Sequence, residues 1–252
     1  MRGALHGEWT KLRTLAGPAW LSAAAALLTV AVGAVLAATV TCSYGRCGED
    51  AVKLTFGGVQ AGQVFAVLLA VGAVCGEYGT GMIRATLAAT PRRGVLLAAK
   101  ALPVAGLTLA AGTAAVLGCA LAGRLLLPGR GYPALSLADG ATLRAAAGTV
   151  LYLVLVALLA LGVGAAVREA ALSAGVVLGL LYLLPLAATL VSDQDLRRTL
   201  WSLTPMNAGL AVQATRGLDT LPLGPWAGLG VLACWSGAAL LVAYLLLRRR
   251  DA

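Results

Sequence analysis

The sequence predicts an all-α membrane protein with six transmembrane helices and both termini in the cytoplasm. Three observations carry this. Of 252 residues, 60% are hydrophobic and 12% charged, with mean hydropathy +0.89. Soluble domains hold about 45–50% apolar and about 25% charged residues. Six apolar runs approach or exceed the roughly 20 residues that cross a bilayer as a helix. Basic residues gather in short segments beside particular runs. Inside lipid the backbone must be satisfied within helices or a closed barrel. Runs this long and unbroken lack the alternation of barrel strands.

The spans are expected at 18–40, 57–76, 95–122, 145–167, 170–190 and 226–247, all in one domain covering 1–252. The first run exceeds the 7–15-residue apolar region of a secretory leader, and an amphipathic stretch precedes it, so it reads as a retained span. Only Arg168 and Glu169 separate the fourth and fifth runs, which predicts a tight helical hairpin. Abundant Ala, Gly, Leu and Arg beside three Lys suggests a GC-rich bacterial genome and hence a bacterial plasma membrane.

Charge sets the orientation. The side with the termini and the second and fourth loops holds 11 of the 19 basic and four of the 10 acidic residues, a net of +7. The other side holds the remaining eight and six, a net of +2. The positive-inside rule therefore places the termini in the cytoplasm. The overall charge of +9 does not point to nucleic acid. It lies beside the spans, where it sets topology and meets anionic lipid.

Residues 2–16 read as an amphipathic helix on the membrane surface. Leu5, Trp9, Leu12 and Ala16 share one face, flanked by Arg2, His6 and Arg13. An ordinary cytoplasmic tail is the alternative. In the first outer loop, Cys42 and Cys47 can close a small disulfide in an oxidising exterior, or stay free thiols. Cys75, Cys119 and Cys234 read as small packing residues, and the single His6 argues against a metal site.

The second loop is the most informative segment. Arg84, Arg92 and Arg93 lie in it, and Lys100 follows near the inner end of span 3, where it can snorkel. Tyr78, Met82, Ala85 and Ala89 recur at helical spacing until Pro91. That predicts a short amphipathic cytoplasmic helix between spans 2 and 3, a surface on which a partner can push. Outside, 191–225 is long for a loop. Leu196, Leu200 and Leu203 form a helix face, Pro205 breaks it, and 208–215 can resume it. Two short re-entrant-like helices before span 6, dipping into the outer leaflet, and a surface loop with one helical turn both fit.

Several function classes lose support. Ion-coupled carriers usually keep ionisable groups inside the membrane. The middles of these spans hold none, and Gln60 and Gln63 are the nearest polar pair. None of the three lysines follows glycine, so there is no Walker A motif. One His in the N-terminal tail leaves no Ser-His protease or His-ligated zinc site, and Asp193 and Asp195 sit beside Arg197 and Arg198 as a solvated cluster. Gly72 with Gly76, and Gly162 with Ala166, offer small-residue spacing for helix contact.

With those residues in view, the chain resembles the permease subunit of type-2 ABC transporters. Glu8-Trp9-Thr10-Lys11-Leu12-Arg13-Thr14 is similar to the interfacial helix that opens such permeases. Glu77-Tyr78-Gly79-Thr80-Gly81-Met82-Ile83-Arg84 through Pro91-Arg92-Arg93 resembles their coupling region, and Pro205-Met206-Asn207-Ala208-Gly209 a segment before the last span. The likeness covers nearly the whole chain. It implies a non-catalytic subunit that exports a lipid-like or amphipathic cargo, such as an antibiotic or peptide. A separate cytoplasmic ATPase dimer would bind the ATP and Mg, and a second permease, identical or different, would complete the assembly. Glu77, Tyr78, Met82, Ile83, Arg84, Leu87, Arg92 and Arg93 would form the ATPase-coupling helix. For the arginines, docking onto partner acids and plain topology remain two readings. The alternatives are a membrane anchor or immunity subunit that moves nothing, and an ion-coupled carrier or channel that depends on Gln60 or Gln63.

Overall fold

The computed structural model describes residues 2–14, 16–41, 48–83, 85–86 and 92–249. Its regular elements are all helical. Six helices are long and apolar enough to cross a membrane: Ala16–Thr39, Ala51–Gly79, Arg93–Leu126, Gly140–Val167, Ala170–Thr189 and Pro225–Arg249, called spans 1 to 6 here. The 13-residue helix Arg2–Thr14 precedes them. Cys42 and Cys47 lie outside the described residues.

Local chemistry moves several boundaries outward. Span 2 starts at Ala51 because the Asp50 carboxylate caps it, accepting from the Lys53 N–H at 3.1 Å. The span is broken at Gly57-Gly58, between Ala51–Phe56 and Val59–Gly79. Span 4 starts at Gly140 because Asp139 accepts from the backbone N–H of Thr142 at 3.0 Å and from its hydroxyl at 2.9 Å. Span 3 runs for 34 residues, about 51 Å at 1.5 Å per residue, far more than a bilayer core requires. Span 5 widens to a π-helix over Gly179–Leu183, just ahead of Pro185, whose ring and missing N–H do not fit an α-helical interior.

Spans 4 and 5 form the expected tight hairpin. Arg168 ends span 4 in the left-handed region at φ 69°, and Glu169 caps span 5, accepting from the N–H groups of Ala171 and Leu172. Those amides hold the Glu169 carboxyl below its usual range. The cap is therefore complete above about pH 4.5 and is lost as pH falls through the lower folded value.

Span 4 is the hub and packs against spans 2, 3 and 6. Tyr152, Val156, Leu159 and Leu161 are its fully buried large residues, with Val67 and Val74 of span 2 and Leu232 of span 6 in the same core. Glycines set the closest approaches. A Cβ on Gly162 would lie 2.7 Å from the Ala239 carbonyl carbon of span 6, so that small residue serves helix contact as expected. Gly72 and Gly76 do not. Nothing lies within 4 Å of a Cβ at either, and both are exposed. The tight crossing of span 2 uses Gly58 and Gly62 instead, against Thr29 and Gly33 of span 1.

The segment before span 6 holds two short helices, Gln194–Leu203 and Pro205–Leu210, followed by a 3-10 turn at Ala211–Gln213. The first carries an exposed apolar face, with Leu196, Trp201 and Leu203 uncovered. The second inserts into the bundle. A Cβ on Gly209 would meet the Tyr152 ring at 2.6 Å, and one on Gly228 would meet the Ala208 carbonyl oxygen at 2.0 Å. Asp50 anchors its far side, accepting from the Thr215 N–H at 2.6 Å and hydroxyl at 2.8 Å and from the Arg216 N–H at 3.1 Å.

Cys75 and Cys119 are buried at helix contacts, their thiols near the carbonyls of Gly164 and Thr29. Cys234 departs from the packing expectation: it is exposed on span 6.

Candidate functional site

One end of the bundle gathers the start of span 3, the ends of spans 2 and 6 and the hairpin between spans 4 and 5. A Cβ on Gly94 would lie 3.2 Å from Tyr244, and the Arg168 guanidinium sits 5.2 Å from the Tyr78 ring centroid. The N-terminal helix packs onto the same end.

Four charged side chains join these elements. Glu8 and Lys11 are one turn apart on the N-terminal helix, 2.9 Å from each other. Glu77 sits in the last turn of span 2, and Lys100 two turns into span 3. Lys11 Nζ reaches Glu77 Oε1 at 2.6 Å. Lys100 Nζ reaches Glu77 Oε1 at 2.8 Å and Glu8 Oε2 at 3.1 Å. Each lysine thus touches both carboxylates. Glu8, Glu77 and Lys100 are buried, at 8%, 6% and 4% exposure. Charges removed from water to this degree need partners, and the 2:2 match supplies them.

Lys100 therefore does not snorkel to the surface. Its ammonium is held inside by two carboxylates, which serve it better than a path through apolar neighbours. Burial alone would lower the Lys11 pKa, but Glu77 and Glu8 outweigh it and hold the ammonium above its usual 10.5. Its contribution is complete below about pH 10.5 and is lost as pH rises through the higher folded value.

The expected coupling residues divide into several groups. Glu77 and Tyr78 belong to span 2, which ends at Gly79. Gly81 then turns the chain at φ +72°, a conformation that disfavours a Cβ. Helix resumes at Ile83, Ala85 and Thr86, with the Thr86 N–H donating to the Met82 carbonyl at 3.1 Å. Tyr78 and Met82 therefore share no continuous helix, because the Thr80-Gly81 turn comes between them. Met82 is 49% exposed, while Ile83 points inward at 6%. Arg92 is the N-cap residue of span 3 and Arg93 its first helical residue, so neither extends the short helix. Arg84 and Leu87 lie outside the described residues.

On the N-terminal helix, Trp9 is 45% exposed and Leu5 half-buried, and the structure describes no side chain for Leu12 or Arg13. The face turned to the bundle carries Glu8 and Lys11, which apolar periodicity missed. A paired signal existed. Two acids and two bases sit at ends of three segments assigned to one side, and buried charge seeks opposite charge.

A cavity of about 380 Å³ lies against the four charges, bounded by the N-terminal helix and spans 1, 2 and 3. Gly72, Gly76 and Met82 line it.

Buried polar groups also join spans 2 and 4 to the Pro205 helix. Gln63 is fully buried, its carbonyl accepting from the Tyr152 hydroxyl and its amide donating to Met206 Sδ at 3.5 Å. Gln213 donates to the Phe56 carbonyl at 3.2 Å and the Thr149 hydroxyl at 3.0 Å. Gln60, by contrast, is exposed, and its backbone carbonyl accepts from the Tyr182 hydroxyl. Gln63 thus has a structural partner on each side of its amide. Tyr152→Phe is expected to cost about 1–3 kcal/mol by orphaning that buried carbonyl, read as a lower melting temperature of the detergent-solubilised protein.

Compared with known proteins, the sequence matches no protein-family model and no curated relative.

Proposed function

We propose that this chain is the membrane-spanning permease subunit of an ATP-driven exporter in a bacterial plasma membrane, with both termini cytoplasmic. A separate ATPase dimer, carrying the ATP and Mg, supplies the energy, and a second permease subunit completes the pathway. The cargo is a lipid-like or amphipathic molecule, and the chain itself is not an enzyme.

The observation that supports this best is the link between the second loop and the bundle. The helical residues Ile83, Ala85 and Thr86 begin four positions beyond Gly79, where span 2 ends. In the last turn of that span, Glu77 is tied to span 3 and to the N-terminal helix through two lysines. A push on the turn therefore reaches three elements through short ionic contacts, buried at Lys100 and half-buried at Lys11, rather than a slack loop. Among the described residues there, Met82 is the large exposed apolar side chain, suited to a groove on a partner, while Ile83 is buried against the bundle.

Met82→Asp is expected to weaken ATPase association about 30-fold, the size of a single hot-spot loss of ~2 kcal/mol. Arg84→Glu is expected to weaken it as well if that arginine docks on partner acids. Binding of the ATPase to detergent-solubilised variants measures both. Unchanged binding and unchanged nucleotide-dependent flux in Met82→Asp would remove the coupling role.

A further inference from the structure

We infer that the cavity beside the four charges is a binding site for a single-chain or double-chain amphiphile with an ammonium headgroup. The cavity measures about 380 Å³, within the range of small-molecule sites. Its walls are apolar, with Leu21 of span 1, Leu69 of span 2 and Val104 of span 3, and its charged end is formed by Glu8, Lys11, Glu77 and Lys100. Gly72 and Gly76 keep it open, since a side chain at either position would enter space that no atom occupies within 4 Å.

The hydrogen-bonding balance selects the headgroup. Both ammonium groups are already engaged, each by two carboxylates. The carboxylates are not equally served. Glu77 Oε1 takes both lysines, whereas Glu77 Oε2 is buried with no hydrogen-bond partner. The Glu77 side chain is only 7% exposed and lines the cavity. What this end of the cavity lacks is a donor, and a cationic donor suits a carboxylate best. Lys11 keeps a third N–H, but an anionic headgroup that took it would sit beside the Glu77 carboxylate, whose charge repels it, and would leave Glu77 Oε2 without a donor. A neutral one would leave the stronger charge-assisted bond unmade. An alkyl chain attached to the ammonium group then lies along Leu69 and Val104. The site does not depend on the ATPase and stands whether or not the chain couples to one.

Two sources present this chemistry, an aminophospholipid of the bilayer and a free amphiphilic amine. The test uses the purified full chain in phosphatidylcholine nanodiscs and a dodecylamine carrying a photoreactive diazirine in its chain. Dodecanol with the same diazirine is the control. After photolysis, labelled peptides are mapped by mass spectrometry. The amine is expected to label the peptides containing Leu69 and Val104 at least about tenfold more than the alcohol. Gly76→Leu projects a side chain into the cavity from a position where a Cβ meets nothing within 4 Å, and is expected to remove that labelling. Glu77→Gln is expected to abolish the preference for amine over alcohol. Should Glu77→Gln fail to fold, Gly76→Leu still decides. Equal labelling by amine and alcohol, or labelling that survives Gly76→Leu, overturns the site. Suppression by phosphatidylethanolamine in the disc supports the site with a bilayer aminolipid as occupant. Undiminished labelling supports it with a free amine.

Discussion

Lys100→Met is expected to destabilise the protein by about 3–5 kcal/mol, the cost of stripping a buried ion pair of one partner. Methionine preserves most of the volume, so the loss is electrostatic. Lys100 is 4% exposed and touches both Glu8 and Glu77. Without it, two buried carboxylates share Lys11 alone. The effect is expected to be non-additive. Adding Glu77→Gln removes the uncompensated charge, so the double variant recovers part of the loss. Thermal unfolding of detergent-solubilised variants, followed by size-exclusion elution, reads all three proteins. A melting temperature for Lys100→Met equal to the parent's would mean that the four charges are not held together as described.

Gly58→Val is expected to cost about 3 kcal/mol, the upper end of ordinary overpacking. A Cβ there would lie 2.1 Å from the Thr29 carbonyl oxygen and 2.6 Å from the Gly33 nitrogen. Both are backbone atoms of span 1, so no rotamer change relieves the clash and the helices must separate. Gly72→Val is the matched control, because nothing lies within 4 Å of a Cβ at that position. The same unfolding assay should show a marked loss for Gly58→Val and little change for Gly72→Val. Equal effects would contradict the assigned crossing.

The six spans were legible because hydropathy over about 20 residues is a local property of the chain. Their ends were less so. Asp50 and Asp139 extend spans 2 and 4 by capping them, a signal present in the sequence but outweighed by the edge of the apolar run. The two short helices before span 6 were one of two open readings, and their insertion against Tyr152 and span 6 was not legible at all. That contact needs Gly209 and Gly228 to meet across the fold.

The ion cluster was illegible for a related reason. Glu8, Glu77 and Lys100 each had a sufficient local explanation, as a topology charge, a coupling residue and a snorkelling lysine. Only the packing of three separate segments turns them into one object. Gly58 and Gly62 were hidden differently: among 32 glycines, one more small-residue spacing carries no contrast. The Thr80-Gly81 turn that separates Tyr78 from Met82 was written in Gly81, yet the helical spacing of Tyr78, Met82 and Ala85 ran across it.

Affinity purification of the tagged full chain from its native membranes in mild detergent, with identification of co-purifying proteins, tests the proposed function most directly. The expected result is a soluble ATPase in stoichiometric amount, lost on Met82→Asp while the chain stays intact and monodisperse. Recovery of the intact chain alone across several detergents would contradict it and favour a carrier or channel that works without an ATPase.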